Sequence, residues 1–360
     1  MVSILEAKKT IEEVLLQREE VIGVGLSPDN QHIRIYVIED NETIPDLPKT
    51  MAGFPVEIVP IPGFVTSGGD NYRTMRFRPV PGGVSASHTG VTAGTVGAVI
   101  RDKVSGNKMF LSNNHVFANT TSTNNYRGHV GDPIIQPSPS DRGTPSDTIA
   151  TLYKFIPFVD DKTNLVDAAL AMPVDQSIAS SYILANDNFD MVSINGVKSI
   201  TAPIRVKKYG RTSGEDWGEV LDFNFAVAVD FDDGKTRNFV DQILVSIETR
   251  GGDSGSILLD GDNNAVGLVF AGGIDKKGRW YGVANKIRNV LAMLSDDEVD
   301  VSDGWSSSHA MVEAPPQFEA DATSDTEPTA PDHTLRNLLM VGAGLTAAVL
   351  AWEGLNTDKA

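Results

Sequence analysis

The sequence contains no cysteine. This absence excludes disulfide bonds, thiol catalysis and zinc sites built from cysteine thiolates. Disulfides are rare in reducing compartments, so their absence favours such a compartment. The N-terminal segment MVSILEAKKTIEEV also lacks the long apolar stretch of a secretion signal, because acidic residues and lysines interrupt it. The sequence therefore predicts a cytoplasmic protein.

Basic residues are scarce as well. The 30 lysines and arginines stand against 48 aspartates and glutamates, which gives a net charge of −18. Nucleic-acid binding requires a basic surface, so we expect no nucleic-acid partner. Eleven of the acidic residues, and no lysine or arginine, lie between positions 295 and 335. This acidic segment is rich in proline, serine and threonine, and we predict a disordered linker over 295–334.

One mostly apolar, uncharged stretch stands out near the C-terminus. It runs for 15 residues from Leu338 to Trp352, within a helix that we predict over 335–353. As a helix it would be about 22 Å long, compared with roughly 30 Å for the hydrocarbon core of a bilayer. We predict a short membrane anchor that tethers the protein through the acidic linker. The alternative is an amphipathic docking or oligomerisation helix.

The rest of the chain divides into two parts of different texture. Residues 1–65 read as a small α/β unit, with helical spacing over 3–20 and then three strand-like runs, VIGVGLS, HIRIYVIE and PVEIVPI. This unit carries no catalytic constellation, so we expect it to support or regulate the part that follows. From 80 to 294, short apolar runs alternate with Gly, Asn, Asp and Pro turns, which is typical of an all-β barrel or sandwich. A clear helical pattern there covers only 285–295.

The motif RGGDSGS, Arg250 to Ser256, is the strongest chemical signal. A serine becomes a nucleophile when a base takes its proton, and the reaction needs N–H groups that stabilise the developing oxyanion. Glycines around the serine permit the sharp turn that presents those donors. We predict Ser254 as the nucleophile and the amides of Gly252 and Ser254 as the oxyanion hole. The alternative is an ordinary hairpin turn.

The base must be one of six histidines. His115, in FLSNNHVFA, follows an apolar strand and would be held rigidly at the edge of the core. The other five lie in the acidic linker, in loops predicted to be exposed or in the N-terminal unit: His309, His333, His88, His129 and His32. We therefore predict His115 as the general base. Without Ser254 it would be read as a core histidine.

A third residue must orient the base. Asp167 begins the apolar stretch VDAALAM, and a partly buried carboxylate there requires a hydrogen-bonding partner, which His115 supplies. Asp147, which also precedes a strand, is the alternative. The order His, Asp, Ser along the chain is that of chymotrypsin, and it agrees with the β-rich texture.

Several segments together resemble the trypsin/chymotrypsin-like serine peptidases of the bacterial and plant Narrow-leaf type. They are TAGTVGAVI, MFLSNNHVFA, VDAALAM, VKKYGRTSGEDWGEV and TRGGDSGSILLDGDNNAVGLVFAGG. The resemblance covers about residues 80 to 294 and implies a chymotrypsin-like double β-barrel with the triad between the barrels. It also implies that VKKYGRTSG is a structural hairpin, and we assign Arg211 to the surface or the rim of the cleft.

The resemblance suggests where a substrate would bind. The strand GLVFAGG would pair with a substrate backbone, and we predict that Phe270, Ala271 and Gly272 make this contact and leave the primary pocket open. Glu248 lies six residues before Ser254, the distance at which trypsin-type enzymes place their acidic specificity residue. In the pocket it would favour a Lys or Arg side chain. The alternative is a strand residue that faces solvent.

The sequence therefore predicts a mainly β serine endopeptidase that hydrolyses peptide bonds through an acyl-enzyme. It needs no cofactor and no metal, and its partner is a peptide or protein substrate. The alternative is a latent or degenerate peptidase domain that binds a peptide or partner, or acts in signalling.

Overall fold

The structure is a computed structural model that describes residues 3–18, 21–38, 47–61, 72–302 and 305. Its helices are α1 (Ile4–Leu15), α2 (Asn114–Phe117) and α3 (Ile287–Leu294). Its strands are β1 (Val21–Leu26), β2 (Ile33–Ile38), β3 (Thr50–Met51), β4 (Phe54–Ile61), β5 (Val80–Gly82), β6 (Ser87–His88), β7 (Ala98–Arg101), β8 (Lys108–Ser112), β9 (Pro133–Ile135), β10 (Thr148–Phe155), β11 (Ala169–Pro173), β12 (Ala179–Leu184), β13 (Met191–Ser193), β14 (Gly196–Val197), β15 (Arg205–Gly210), β16 (Gly214–Asp230), β17 (Thr236–Val245), β18 (Ile257–Asp260), β19 (Asn264–Ile274) and β20 (Trp280–Lys286). The described residues are thus mainly β, as the turn-punctuated apolar runs predict.

Six consecutive strands, β15 to β20, close into an antiparallel barrel. The order β15-β18-β19-β20-β17-β16 is continuous, and the additional pairing of β15 with β16 joins its ends. The turn between β16 and β17 contains Gly234 with a φ of +75°, the left-handed conformation that the predicted Asp-Asp-Gly hairpin needs. Closure leaves the strands of this ring without free edges wherever both neighbours pair.

A second, six-stranded antiparallel sheet forms from the preceding part of the chain, in the order β6-β9-β10-β11-β8-β7. Its apolar side chains, among them Phe110, Val116 and Ile149, are fully buried in one cluster. A separate cluster joins this sheet to the barrel, since Leu111 and Leu170 pack with Leu268 and the residues of α3. The two sheets therefore share a core, and the loops at their junction come close together.

The N-terminal residues add strands to the barrel sheet. Ser3 and Glu6 cap each other's backbone at the start of α1, which fixes where the helix begins. Strand β1 pairs with β16, with Gly23 opposite Val227, and β2 and β4 continue the sheet. Gly23 is required there, because a Cβ would lie 2.3 Å from the Phe225 ring.

The predicted helix near the end of the barrel is confirmed as α3, but the core continues beyond it. Val299 and Val301 are buried, and the Asp300 amide donates to Asp102 at 2.9 Å. The predicted linker therefore begins later than position 295, because these valines supply apolar surface that the composition of the segment conceals. Apart from Trp305, the remainder of the predicted linker and the predicted helix over 335–353 lie outside the described residues. Within the described ranges, no helix has the length and apolar character needed to cross a membrane.

Candidate active site

His115 stands in the short helix α2, directly after β8. The two asparagines before it fix the backbone. The Asn113 side chain donates to the Asp167 carbonyl at 2.8 Å, and the Asn114 side chain donates to the Ile156 carbonyl at 2.6 Å. Both asparagines are fully buried. The sequence NNH thus holds the histidine at the edge of the second sheet.

Asp167 is the partner of this histidine. Its carboxylate lies 2.5 Å from His115 Nδ1 and accepts the His115 amide at 3.2 Å. The Asp167 side chain is completely buried, and its amide donates to Asn285 on β20 at 3.0 Å. A bond at Nδ1 places the proton there and leaves Nε2 as an acceptor. Asp147, the alternative, instead bonds to the Thr144 amide at 3.0 Å and to Arg76 at 3.4 Å.

His88 forms a second histidine–aspartate pair away from this site. Its Nε2 lies 3.1 Å from the Asp132 carboxylate, and the residue is 7% exposed. The predicted exposed loop is therefore wrong for His88, because it belongs to the edge strand β6 and packs against the loop that holds Asp132.

Ser254 lies in the turn between β17 and β18. Its hydroxyl donates to the Phe270 carbonyl at 3.3 Å, and among the described residues it forms no hydrogen bond with His115. The Ser254 carbonyl accepts the Thr95 amide at 2.9 Å. Gly255 has a φ of +99°, and a Cβ there would lie 2.2 Å from the Thr95 carbonyl oxygen. The glycine after the serine therefore lets this turn approach the second sheet closely.

A chain of aromatic rings connects the histidine with the serine turn. Phe231, in the turn between β16 and β17, lies 5.8 Å from the His115 ring and 6.0 Å from Phe239. Phe239 lies 4.7 Å from Phe270, whose carbonyl accepts from the Ser254 hydroxyl. The structure thus brings all three predicted residues into one region. The role of Phe231 was not predicted, since the hairpin that carries it lies far from His115 in sequence.

The amides of Gly252 and Ser254 donate to no acceptor among the described residues. The carbonyls of the same two peptide units are both bonded: Gly251 O accepts from the Thr212 hydroxyl at 2.6 Å, and Asp253 O accepts the Ser256 amide at 3.0 Å. Because C=O and N–H point in opposite directions in a planar trans peptide, these bonds fix the directions of both N–H groups. Two fixed, unpaired donors beside a serine are suited to stabilising an oxyanion.

A buried ion pair lies beneath this turn. The Asp253 carboxylate is 3.2 Å from the Lys208 ammonium, and both side chains are completely buried. Asp253 also accepts the amides of Thr212 at 2.8 Å and of Arg250 at 2.9 Å. Burial raises the pKa of Asp253, but the Lys208 charge and the N–H donors more than compensate and hold that pKa below its usual value. The sequence analysis missed Lys208, although a lysine inside an otherwise apolar strand signals a buried partner.

Arg211 does not lie at the surface or rim, as predicted, but is only 4% exposed. Its Nε donates to Asp141 at 2.9 Å, and its amide donates to the Thr95 hydroxyl at 3.0 Å. The same hydroxyl donates to the Gly252 carbonyl at 2.6 Å. The prediction failed because Asp141, 70 residues away, neutralises the charge inside the protein. Arg211 therefore connects the turn at Ser254 with the second sheet.

The predicted substrate strand has a free edge beside Ser254. Pairing of β18 with β19 ends at Ile257 opposite Leu268, whereas β20 pairs with β19 as far as Ile274. From Phe270 to Ile274, no described strand pairs with β19 on the side opposite β20. This edge contains Phe270, Ala271 and Gly272.

Two expectations about the primary pocket do not agree with the geometry. Thr249 is packed against Gly272 and is 3% exposed, so the small residues do not leave an open pocket. Glu248 bonds to the Arg250 guanidinium, whose Nε lies 2.5 Å from its carboxylate. Arg250 in turn lies 5.3 Å from the centre of the Trp280 ring. The Glu248 charge is thus neutralised within the chain.

No protein-family model and no curated protein matches the chain. Among solved structures it resembles the Nocardiopsis protease, with 16% identity over 60% of this chain and 96% of that chain, at a TM-score of 0.44. It also resembles Thermobifida fusca Protease A, with 16% identity, coverage of 62% and 99% and a TM-score of 0.45. A third is a glutamic acid specific serine protease, with 18% identity, coverage of 59% and 97% and a TM-score of 0.46. These neighbours are chymotrypsin-like serine proteases. The mainly β fold and the resemblance predicted from the sequence are confirmed, and the case for a function rests on the geometry of the site.

Proposed function

We propose that this protein is a serine endopeptidase that acts through an acyl-enzyme. The observation that carries the proposal is the 2.5 Å contact between His115 Nδ1 and the buried Asp167, in the region where Ser254 stands beside two unpaired amides. This arrangement supplies a nucleophile, an oriented base and oxyanion donors together, which is the combination that acyl transfer needs.

The first half of the reaction forms the acyl-enzyme. The Ser254 hydroxyl rotates from the Phe270 carbonyl towards His115 Nε2, which takes its proton as Oγ attacks the substrate carbonyl carbon. The carbonyl electrons move onto oxygen, where the amides of Gly252 and Ser254 stabilise the charge. Asp167 stabilises the imidazolium. His115 then gives the proton to the leaving amine as the C–N bond breaks.

The second half releases the acid. A water molecule gives its proton to His115 and attacks the ester carbonyl, and the same two amides stabilise the second oxyanion. The ester bond breaks, and His115 returns the proton to Ser254 Oγ. Atoms and charge balance without a cofactor.

A peptide is the substrate that the free edge of β19 favours. An extended chain that pairs with Phe270 to Ile274 gains main-chain hydrogen bonds independent of its sequence. The same alignment places one of its carbonyls beside Ser254. An ester without a peptide backbone would lack these bonds.

The proposal is tested by labelling the full chain with a fluorophosphonate probe. We expect wild type to be labelled, and Ser254→Ala and His115→Ala to lose labelling. The matched control is His88→Ala, which breaks the other histidine–aspartate pair, 3.1 Å long, and should keep it. Loss of labelling in the control as well would show a general folding defect. Cleavage of a peptide p-nitroanilide by the same variants then separates peptide hydrolysis from reactivity alone.

A latent peptidase or binding domain is the second candidate. It is favoured by the Ser254 hydroxyl, which bonds to the Phe270 carbonyl in place of His115. If this arrangement persists with substrate, folded wild type will show no labelling, while a peptide still binds at the edge of β19. That outcome would replace the peptidase proposal.

A further inference from the structure

We infer that the primary pocket accepts only a small, uncharged side chain, such as that of glycine, alanine or serine, and that Thr249 sets this limit. The inference rests on the proposed peptidase function and concerns the residue on the acyl side of the scissile bond. It follows from the way two glycines and a threonine fill one slot beside Ser254.

The slot is located by the groups that a substrate must meet. Its carbonyl oxygen points to the amides of Gly252 and Ser254, while its backbone follows the free edge from Phe270 to Ile274. The side chain next to that carbonyl therefore enters between the segment 249–252 and the sheet formed by β19 and β20. The width of this space determines which side chains fit.

Two glycines form the sheet wall of the slot. Gly272 on β19 and Gly282 on β20 stand directly opposite each other, so they face the same side of the sheet. A Cβ on Gly272 would lie 2.4 Å from Thr249 Cβ, and a Cβ on Gly282 would lie 2.6 Å from Thr249 Oγ1. Both distances are shorter than any carbon contact allows, so Thr249 lies against the glycine backbones.

The two glycines thus clear space that Thr249 occupies. Thr249 is 3% exposed, which means that the deep part of the slot holds no solvent-accessible room. Only the mouth, between Thr249 and Ser254, is left for a substrate. A methyl or hydroxymethyl group fits such a mouth, whereas a leucine or phenylalanine side chain would have to displace Thr249.

The charge at the slot excludes a basic side chain as well. Glu248, the acid next to Thr249, is held by Arg250, which stacks on Trp280. A lysine of the substrate would have to break this ion pair, and it would meet the Arg250 charge. The structure therefore does not support the Lys or Arg preference that the position of Glu248 suggests.

The test compares the full chain with Thr249→Gly and Thr249→Ser. The substrates are peptide p-nitroanilides that differ only in the residue before the scissile bond: alanine, leucine, phenylalanine or lysine. We expect wild type to prefer alanine over leucine and phenylalanine by at least about tenfold in kcat/KM. In Thr249→Gly this preference should shift towards the large side chains by roughly 10- to 200-fold. Lysine should stay a poor substrate in every variant.

Thr249→Ser keeps the hydroxyl and removes one methyl group, so it should give a smaller shift in the same direction even if the glycine variant folds poorly. Thr236→Gly, an exposed threonine on β17, is the control and should leave the preference unchanged. Wild type that cleaves the phenylalanine substrate as fast as the alanine one would overturn the inference. So would a preference that neither Thr249 variant changes.

Labelling with diisopropyl fluorophosphate separates the two proposals, because this probe does not place an amino-acid side chain in the slot. Labelled wild type with an unrestricted side-chain preference refutes the role of Thr249 alone. Folded wild type that is neither labelled nor active removes the peptidase function, and this inference with it.

Discussion

The buried pair of Lys208 and Asp253 provides the sharpest test of how the serine turn is held. Replacement of Lys208 by methionine keeps an unbranched, apolar side chain and removes only the ammonium. Both side chains of the pair are completely buried and 3.2 Å apart, so water cannot replace the lost charge. We expect Lys208→Met to destabilise the fold and to slow the labelling of Ser254, which follows Asp253 directly.

The magnitude follows from the partners that remain. Removal of one member of a buried ion pair typically costs about 3–5 kcal/mol, because the other charge stays buried without compensation. Asp253 keeps its bonds from the amides of Arg250, Thr212 and Ser213, so we expect the lower end, about 3 kcal/mol. For a domain of 150–250 residues, each kcal/mol shifts Tm by about 2–4 °C, so the expected fall is roughly 6–12 °C.

The assay is urea unfolding followed by circular dichroism, together with the rate of fluorophosphonate labelling. Lys207→Met is the matched control, since Lys207 is on the same strand but its ammonium lies over the Trp217 ring, 4.9 Å from the centre. Its loss should cost about 1 kcal/mol or less. Adding Asp253→Asn to Lys208→Met removes the stranded charge and should recover most of the stability.

The pair also predicts a pH dependence. The pKa of Asp253 is lowered in the folded state, so its stabilising contribution is present above the unfolded pKa of about 4 and is lost as the pH falls through the lower folded value. Lys208→Met should raise the folded pKa and shrink this contribution. The reasoning is refuted if Lys208→Met is as stable as the Lys207 control, or if the double variant recovers nothing.

Three further predictions concern the base, the oxyanion donors and a buried acid. Asp167→Asn should lower kcat by about 10⁴ with little change in KM, measured with p-nitroanilide peptides, and a loss below tenfold would contradict its orienting role. Thr212→Val frees the Gly251 carbonyl and should lower kcat by up to about 10²–10³, whereas Thr212→Ser should restore it. An equal loss in both would contradict a role for the hydroxyl. Burial raises the pKa of Asp222 to about 6, so the folded state keeps a proton that the unfolded chain loses above about pH 4. The free energy of unfolding of wild type relative to Asp222→Asn should fall by at most about 3 kcal/mol between pH 4 and 7, and a difference independent of pH would contradict this.

The residues with a chemical role were accessible to sequence analysis because each depends on local requirements. Gly255 has a positive φ and no room for a Cβ, and such a position preserves glycine beside Ser254 whatever the rest of the chain does. His115 follows an apolar strand, and Asp167 begins another. These patterns are read within a few residues, so the order His, Asp, Ser could be assigned before the structure was known.

The residues that hold the site were not accessible, because their partners are distant in sequence. Lys208 and Asp253 are 45 residues apart, and Arg211 and Asp141 are 70 apart. Charged residues are almost never buried unless they are paired, so without a visible partner the sequence favours a surface position. Burial of Arg211 became evident only when the fold placed Asp141 beside it.

Glu248 is a different case, since its partner was close in sequence. Alternate residues of an extended chain point to the same side, which places Glu248 and Arg250 together. Their ion pair could therefore have been predicted, and with it the neutralisation of the expected specificity acid. What the sequence could not show is that Thr249, between them, turns to the opposite side and closes on Gly272 and Gly282.

The boundary drawn after residue 65 marks a change of texture, and texture does not reveal how strands pair. Strand β16 has 17 residues, far more than the usual five or six. Its first half pairs with β15 inside the barrel, and beyond Val220 it extends past β15 to Asp230. That extension would be an exposed edge, which proteins avoid, and β1 covers it. The same extension ends at the turn that holds Phe231 against His115, so the N-terminal strands stabilise a hairpin whose tip belongs to the candidate active site.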